Sequence, residues 1–379
     1  MNKYDKSHLR HLAQYEKEVE EIYKEATKEA AKIGASVKGF DPTKPFTFAD
    51  YPQTKKKIDA LMKKIHADTL AVVQKGINEE WGLSNNKNDA LCNTVFAAYV
   101  SDLPENLYNT YYNPNDAARK AFIDRTVQGL NLSDRVWKYT TQYKNEMEMA
   151  LDLGIRDGKS ADALSRDLRG YLQHPDKLFR RVRDEHGQLH LSKRAAEYHP
   201  GRGVYRSSYK NARRLAATEC NIAYRSADHE RWQNLDFVVG VRVVMSNNHT
   251  CKGSDGKAHP FVDICDELSA PLGSTYTKGR GCYPKGFKFT GWHPHCRCHA
   301  ESILKTDEEN TEDLQRILKG EQPTKAEDSK NAVTELPDEF KKWMGDNAER
   351  LGAAKNKPYF VKDNTKYCEP LMKKGEGEG

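Results

Sequence analysis

The run Trp292-His293-Pro294-His295-Cys296-Arg297-Cys298-His299 constrains this chain more than any other stretch. It sets two cysteines and three histidines beside a tryptophan and a proline. Thiolate and neutral imidazole are the groups that hold Zn²⁺ tetrahedrally. Pro294 has no backbone N–H and fixes its own φ, so the segment reads as a rigid turn rather than a helix or central strand. Just upstream, Phe287-Lys288-Phe289-Thr290 alternates as a short strand would, and Gly291 lets the chain turn.

Five of the eight cysteines, Cys251, Cys265, Cys282, Cys296 and Cys298, fall in this one region, a clustering that favours a metal. Cys296-x-Cys298 can chelate one ion, and His293-x-x-Cys296 has the spacing of a metal knuckle. A second pair of ligands should precede Phe287, with Cys251 and Cys265 the first choices. The candidate ligands are therefore Cys251, Cys265, His293, Cys296 and Cys298. There is no Cys-x-x-Cys, because position 262 is Val. The residues leave open a structural zinc or thiols that are simply buried. Asp263, Asp266 and Glu267 could add carboxylates, but they fit a capping box around a short helix equally well. No His-Glu-x-x-His helix marks a catalytic zinc.

Charged residues make up 31% of the chain, a polarity that suits elongated helices and thin domains more than one large globule. The net charge of +6, from 61 basic against 55 acidic residues, fits nucleic acid or an acidic partner only weakly. No apolar run approaches the roughly 20 residues of a membrane span. Met1 to Leu12 is charged and lacks the apolar core of a signal peptide, so the expectation is a chain made in a cytosol, without a membrane partner.

Apolar residues recur at helical steps from about His8 to Ala35 (Leu12, Tyr15, Val19, Ile22, Tyr23, Ala26) and from about Gln53 to Glu79 (Ile58, Leu61, Met62, Ile65, Leu70, Val73, Ile77), with a proline-rich break between. Residues 80–116, rich in Asn and aromatics, read as short helices and loops. Ser133 reads as the N-cap of a helix running to about Leu153, and Ser160 as the cap of a shorter one to Leu172. Another helix spans Asn211 to Asn234. Its polar Glu219, Asn221, Arg225 and Asp228 read either as a site or as intrahelical pairs and caps on neighbouring elements. Phe237 to Met245, rich in Val, is the clearest strand. Residues 305–335 read as a charged linker with a short helix near Leu314, and Phe340, Trp343 and Leu351 mark one further helical piece.

Lys177 to Arg214 is basic, with tyrosines interleaved. Arg180, Arg181, Arg183, Arg202 and Arg206 are the candidate contacts to a nucleic-acid backbone, set against a solvated basic face whose tyrosines pack inward.

One family joins these pieces. The helix with Arg214, Thr218, Glu219, Asn221, Ala223 and Tyr224 leads to the Val-rich strand and then to Asp263, Cys265 and Asp266. With the Gly291-Trp292-His293-Pro294-His295-Cys296-Arg297-Cys298 run, this order resembles the phage Mu F-like minor head proteins, the head morphogenesis proteins of tailed phages and prophages. The resemblance covers about residues 115–304, and the His-Pro-x-Cys-Arg-Cys end is its most specific part. It implies a minor capsid protein near the portal, acting in head assembly in the host bacterial cytoplasm and then carried in the virion. Portal or major capsid proteins would be its partners, close to packaged double-stranded DNA, and it would not be an enzyme. Two departures stand out: many relatives carry a Cys-x-x-Cys where this chain has only Cys265, and some carry a C-terminal enzymatic domain where a charged tail follows Leu304 here.

The expected fold is mainly α, an extended helical bundle with a small Cys/His-rich α+β module and a charged, partly disordered tail. The expected divisions are 1–115, 116–235, 236–304 and 305–379. The competing function is a metal-dependent nuclease or hydrolase using His293, His295 and His299 with Asp263 or Asp266.

Overall fold

The structure, a computed structural model, describes residues 1–39, 41, 44, 46–156, 159–173, 182–183, 186, 189–190, 207–246, 250–252, 258–260, 262–274, 278–294 and 296–375. The fold is mainly α with one small α+β module. It forms two compact units that interleave along the chain. The first holds Met1–Leu9, Ile77–Phe122 and Cys220–Gly379, and the second holds Arg10–Gly76 and Ile123–Glu219. No helix among the described residues is long and apolar enough to cross a membrane.

Helix α1 (Lys3–Ala35) and helix α2 (Pro52–Phe96) follow from the two long amphipathic stripes. Helix α2 runs well past the predicted end near Glu79. Its buried face continues as Trp81, Cys92 and Phe96, with polar Glu80, Ser84 and Asn88 buried among them. Those polar positions interrupt the apolar period in the sequence, yet each finds a buried partner in space, so the helix persists. Helices α3 (Glu105–Tyr111) and α4 (Asp116–Asp124) are short.

Helix α5 (Leu132–Arg156) is capped by Asn131 rather than Ser133. The Asn131 Oδ1 accepts from the Asp134 N–H at 2.8 Å, and the Asp134 carboxylate accepts from the Asn131 N–H at 3.3 Å. This reciprocal pair satisfies two backbone donors at once. Ser133 lies in the first turn, and its Oγ is 3.0 Å from His66 Nε2. Helix α6 (Ala161–Gln173) has the Ser160 cap expected, with the Ala163 N–H donating to Oγ at 3.3 Å. Strands β1 (Val182–Arg183) and β2 (Leu189–His190) pair antiparallel, and helix α7 (Ser208–Gln233) follows.

In the second unit, Tyr23 meets Tyr143 edge-on at 5.2 Å, and the Tyr143 hydroxyl lies 3.1 Å from Thr27 Oγ1. Close by, the Glu146 carboxyl is fully buried and receives hydrogen bonds from the Ser208 N–H and hydroxyl and from the Gln142 amide. Burial outweighs those bonds and pushes its pKa up from 4.5 to about 8. Between those values the folded chain holds a proton that the unfolded chain has released, so stability falls as pH rises. The slope is at most about 1.4 kcal/mol per pH unit. Glu146→Gln is expected to raise the melting temperature at pH 8 and to flatten its decline between pH 5 and 8, as read by thermal denaturation across that range.

In the first unit, strand β3 (Val238–Val244) forms the centre of a three-stranded antiparallel sheet, after strands β4 (Thr250–Lys252) and β5 (Ala258–Pro260) are set apart as a hairpin pair. Its neighbours are β6 (Cys282–Tyr283) and β7 (His299–Leu304), in the order β6-β3-β7. Both faces of β3 are covered, which explains a run of valines instead of an alternating pattern. One face (Val241, Val243, Ala300) joins the large aromatic core, and the other (Val239, Ile303, Cys282) joins a small cluster with Ala332. Gly281 has φ +80°, and a Cβ there would lie 2.2 Å from the Ala270 backbone nitrogen. Gly281→Ala is therefore expected to lower stability by about 3 kcal/mol, the sum of strain and overpacking, as read by urea denaturation.

The Phe287 to Thr290 stretch is not a strand. Asn364 takes the place of a neighbouring strand: its Oδ1 accepts from the Lys288 N–H at 2.7 Å, and its Nδ2 donates to the Lys288 carbonyl at 2.8 Å. Phe287 and Phe289 are both buried with Lys288 half-buried between them, so the alternation holds although no strand forms. Helix α8 (Ile264–Leu268) precedes this stretch. After β7 come α9 (Asp307–Leu318), α10 (Asp338–Asp346), α11 (Ala348–Ala353), α12 (Tyr359–Lys362) and α13 (Thr365–Gly375). The stretch read as a linker is anchored: the Lys305 ammonium is buried on Asp313 at 2.6 Å and on the Thr324 carbonyl at 2.6 Å. Phe340 and Phe360 then pack on Trp292 and Phe287.

Candidate metal centre

Helix α8 is short and held by its cap. Asp263 accepts from the Cys265 N–H at 2.7 Å while Asp266 accepts from the Asp263 N–H at 2.8 Å, the capping box anticipated for these residues. This fixes Cys265 at the first turn with its thiol buried. The Trp292 run folds back as a tight turn, with the Cys296 N–H donating to the His293 carbonyl at 3.0 Å.

Cys265, Cys296 and Cys298 bring their sulfurs within 4.8 Å of one another, and Cys265 shares a second such group with Asp263 and His293. Cys265 Sγ lies 3.9 Å from Cys296 Sγ and 3.2 Å from His293 Nε2. Metal–sulfur bonds of about 2.3 Å and metal–nitrogen bonds of about 2.0 Å in a tetrahedron need S···S of about 3.8 Å and S···N of about 3.5 Å. These two separations lie near those lengths, and the two groups, which share Cys265, are each close enough to hold a metal ion.

Four of the five candidate ligands thus gather at one place. The fifth, Cys251, lies on β4, and its side chain is outside the described residues, as is His295. His299, part of the same run, faces Glu301 at 3.2 Å and is not in the cluster. Cys282 packs in the small core beside β3. Val262, at the position where a Cys-x-x-Cys would place a ligand, is 84% exposed.

Burial works against charge on Cys296. Hydrogen bonds from Cys265 and Cys298, together with the Arg225 charge, nonetheless hold its thiol well below the usual range. Despite a bond from Cys265, the Cys298 thiol is pushed up to about 12 by Cys296 and by burial, and the bonds to Cys296 and Cys298 push Cys265 up as well. Three sulfurs this close share negative charge poorly by themselves, and a bound cation removes that conflict.

The shell behind the sulfurs comes from α7. Arg225 is buried, and its Nη2 donates to the Cys296 carbonyl at 2.8 Å and the Cys298 carbonyl at 2.5 Å, while Nη1 donates to the Thr290 carbonyl at 3.0 Å. Its guanidinium lies 4.7 Å from the centre of the Phe289 ring. Gly291, at φ +120°, permits this approach, since a Cβ there would sit 2.6 Å from Arg225 Nη1. Asn221 Nδ2 adds a bond to the Cys296 carbonyl at 2.9 Å. On the other side, Trp292 Nε1 donates to Ser269 Oγ at 2.8 Å, and Ser269 Oγ lies 3.6 Å from Cys298 Sγ.

Of the four polar residues singled out on α7, Asn221 and Arg225 belong to this site. Asp228 binds Lys87, Ser84 and Asn88 of the first unit, and Glu219, in the second, is gripped by Arg125 and Arg135. These partners lie on other elements, so the intrahelical explanation does not hold for them. Ser269 and Asn364 escaped sequence reasoning altogether. Arg225 had a signal: it stands four residues after Asn221, one turn on along the same helix face.

Arg180, Arg181, Arg202 and Arg206 lie outside the described residues, and Arg183 is placed on β1 without its side chain. Tyr209, from the same basic stretch, is buried against Arg213. No family model, no curated protein and no solved structure matches this chain.

Proposed function

We propose that this chain is a minor head protein of a tailed phage or prophage, stabilised by a structural Zn²⁺ on Cys265, His293, Cys296 and Cys298. The observation that carries the reading is a convergence. The helix bearing Asn221 and Tyr224, the Asp263-Cys265-Asp266 element and the His293-to-Cys298 run are three of the four pieces of the resemblance, and they meet at one site. A shared site gives a physical reason for that combination to occur together.

Four protein donors on one ion would leave no open position for substrate, which favours a structural over a catalytic ion. The ion would do what a core does in a larger module, cross-linking a loop-rich segment. Portal or capsid proteins are the proposed partners, and the basic 177–214 stretch would face packaged DNA.

Two measurements test the proposal. Mass spectrometry of the reduced, purified protein should find about one zinc per chain. Proteomics of purified phage particles should find the chain at few copies per head. Its absence from particles that contain portal and capsid protein would refute the head assignment, whatever the metal content.

A further inference from the structure

A buried hydrogen-bond chain starts at the first turns of α1 and ends on the knuckle carbonyl. His8 Nδ1 faces Glu80 Oε2 at 2.6 Å, His8 Nε2 faces Asn221 Oδ1 at 3.0 Å, and Asn221 Nδ2 donates to the Cys296 carbonyl at 2.9 Å. His8, Glu80 and Asn221 are each more than nine-tenths buried. A carbonyl can only accept, so the Asn221 amide must point its NH₂ at the knuckle and its oxygen at His8. Both ring nitrogens of His8 then face oxygens, so Nε2 donates to the Asn221 amide oxygen and Nδ1 shares a hydrogen bond with the Glu80 carboxyl group. The ring stacks on Tyr224 at 4.1 Å, and the Tyr224 hydroxyl donates to Asp5, one turn earlier, at 2.8 Å.

We infer that His8 and Glu80 are positioning residues of the metal centre, acting through Asn221, and that metal binding and docking of the first turns of α1 are coupled. The inference rests on the metal reading above. Partners behind metal ligands set ligand orientation, and losing one typically weakens metal binding by about 10- to 100-fold. The charge fits as well: three thiolates and a neutral imidazole around a divalent ion would leave a net negative site, and the buried Arg225 guanidinium stands behind it. Linkage is reciprocal, so whatever factor His8 contributes to metal affinity, the metal returns to docking of residues 3–9.

The test uses the full-length chain with Zn²⁺ and Co²⁺ as probes. His8→Ala should weaken Co²⁺ binding about tenfold and shift the cobalt absorption bands, which report ligand geometry. His8→Gln, whose amide can still donate to Asn221, should recover part of both. Tyr224→Phe keeps the ring stacked on His8 and removes only the hydroxyl bond to Asp5, so it should leave the bands unchanged. In the wild type, amides 3–9 should exchange more slowly with zinc than after chelation. Wild-type affinity and spectrum in His8→Ala would overturn the inference. So would an equal change in Tyr224→Phe, or exchange at 3–9 that ignores the metal. A wild-type chain that takes up neither ion would instead overturn the metal reading, and this inference would fall with it.

Discussion

Cys296→Ser is expected to abolish metal binding and to lower the melting temperature by about 10 °C or more. Cys296 is fully buried, and its sulfur lies close enough to those of Cys265 and Cys298 for one ion to reach all three. A serine hydroxyl is not a thiolate, and its oxygen sits closer to the backbone than sulfur does. In small zinc modules the metal-binding free energy is the folding free energy, about 10–16 kcal/mol at neutral pH. Here Trp292, Phe287, Phe340 and Phe360 form an aromatic core beside the cluster, so part of the module's stability survives without metal. A loss of about 4 kcal/mol, at the upper end for single substitutions, is expected. For a domain of 150–250 residues each kcal/mol moves the melting point by about 2–4 °C. Calorimetry with and without chelator is the check: chelator should bring the wild type down to the variant and leave the variant unmoved. Two identical melting curves, indifferent to chelator, would mean that the three cysteines are packed thiols.

Arg225→Lys keeps the charge and should still cost about 3–5 kcal/mol. One guanidinium serves three carbonyls, those of Thr290, Cys296 and Cys298, through two nitrogens in a fixed plane. An ammonium on a flexible stem cannot reproduce that fork. At least one or two buried carbonyls would lose a charge-assisted bond, each worth about 1.5–3 kcal/mol. The stacking on Phe289 would go as well. Urea denaturation measures the stability, and metal competition should show weaker binding by about tenfold or more. A variant with wild-type stability and affinity would show that Arg225 merely fills space.

Much of the site could be read in one dimension because its chemistry is local. Cys296-x-Cys298 and His293-x-x-Cys296 carry their geometry in their spacing, and Asp263 and Asp266 are three residues apart, the interval of a capping box. The Val run of β3 and the apolar stripes of α1 and α2 were legible for the same reason: their periods repeat within a few residues. Local reading failed where a distant side chain took over a local role. Asn364 stands in for a strand beside Lys288, and Ser133 yields the cap to Asn131 and turns to His66. Helix α2 outran its predicted end because Ser84 and Asn88, which look like interruptions, are satisfied by Asp228.

By itself, the sequence determined a mainly helical chain, one central strand, and a Cys/His turn able to bind a soft metal. Periodicity, caps and ligand chemistry act over one to four residues, and those distances are written in the order of the chain. Only the tertiary structure decided that Cys265, 28 residues before His293, completes the cluster, and that Arg225 and Asn221 hold it from behind. It also brought His8 and Glu80 to that site and packed Phe340 and Phe360 on Trp292. Such contacts depend on where whole helices travel, and that path is set by the packing of the core rather than by any interval along the chain.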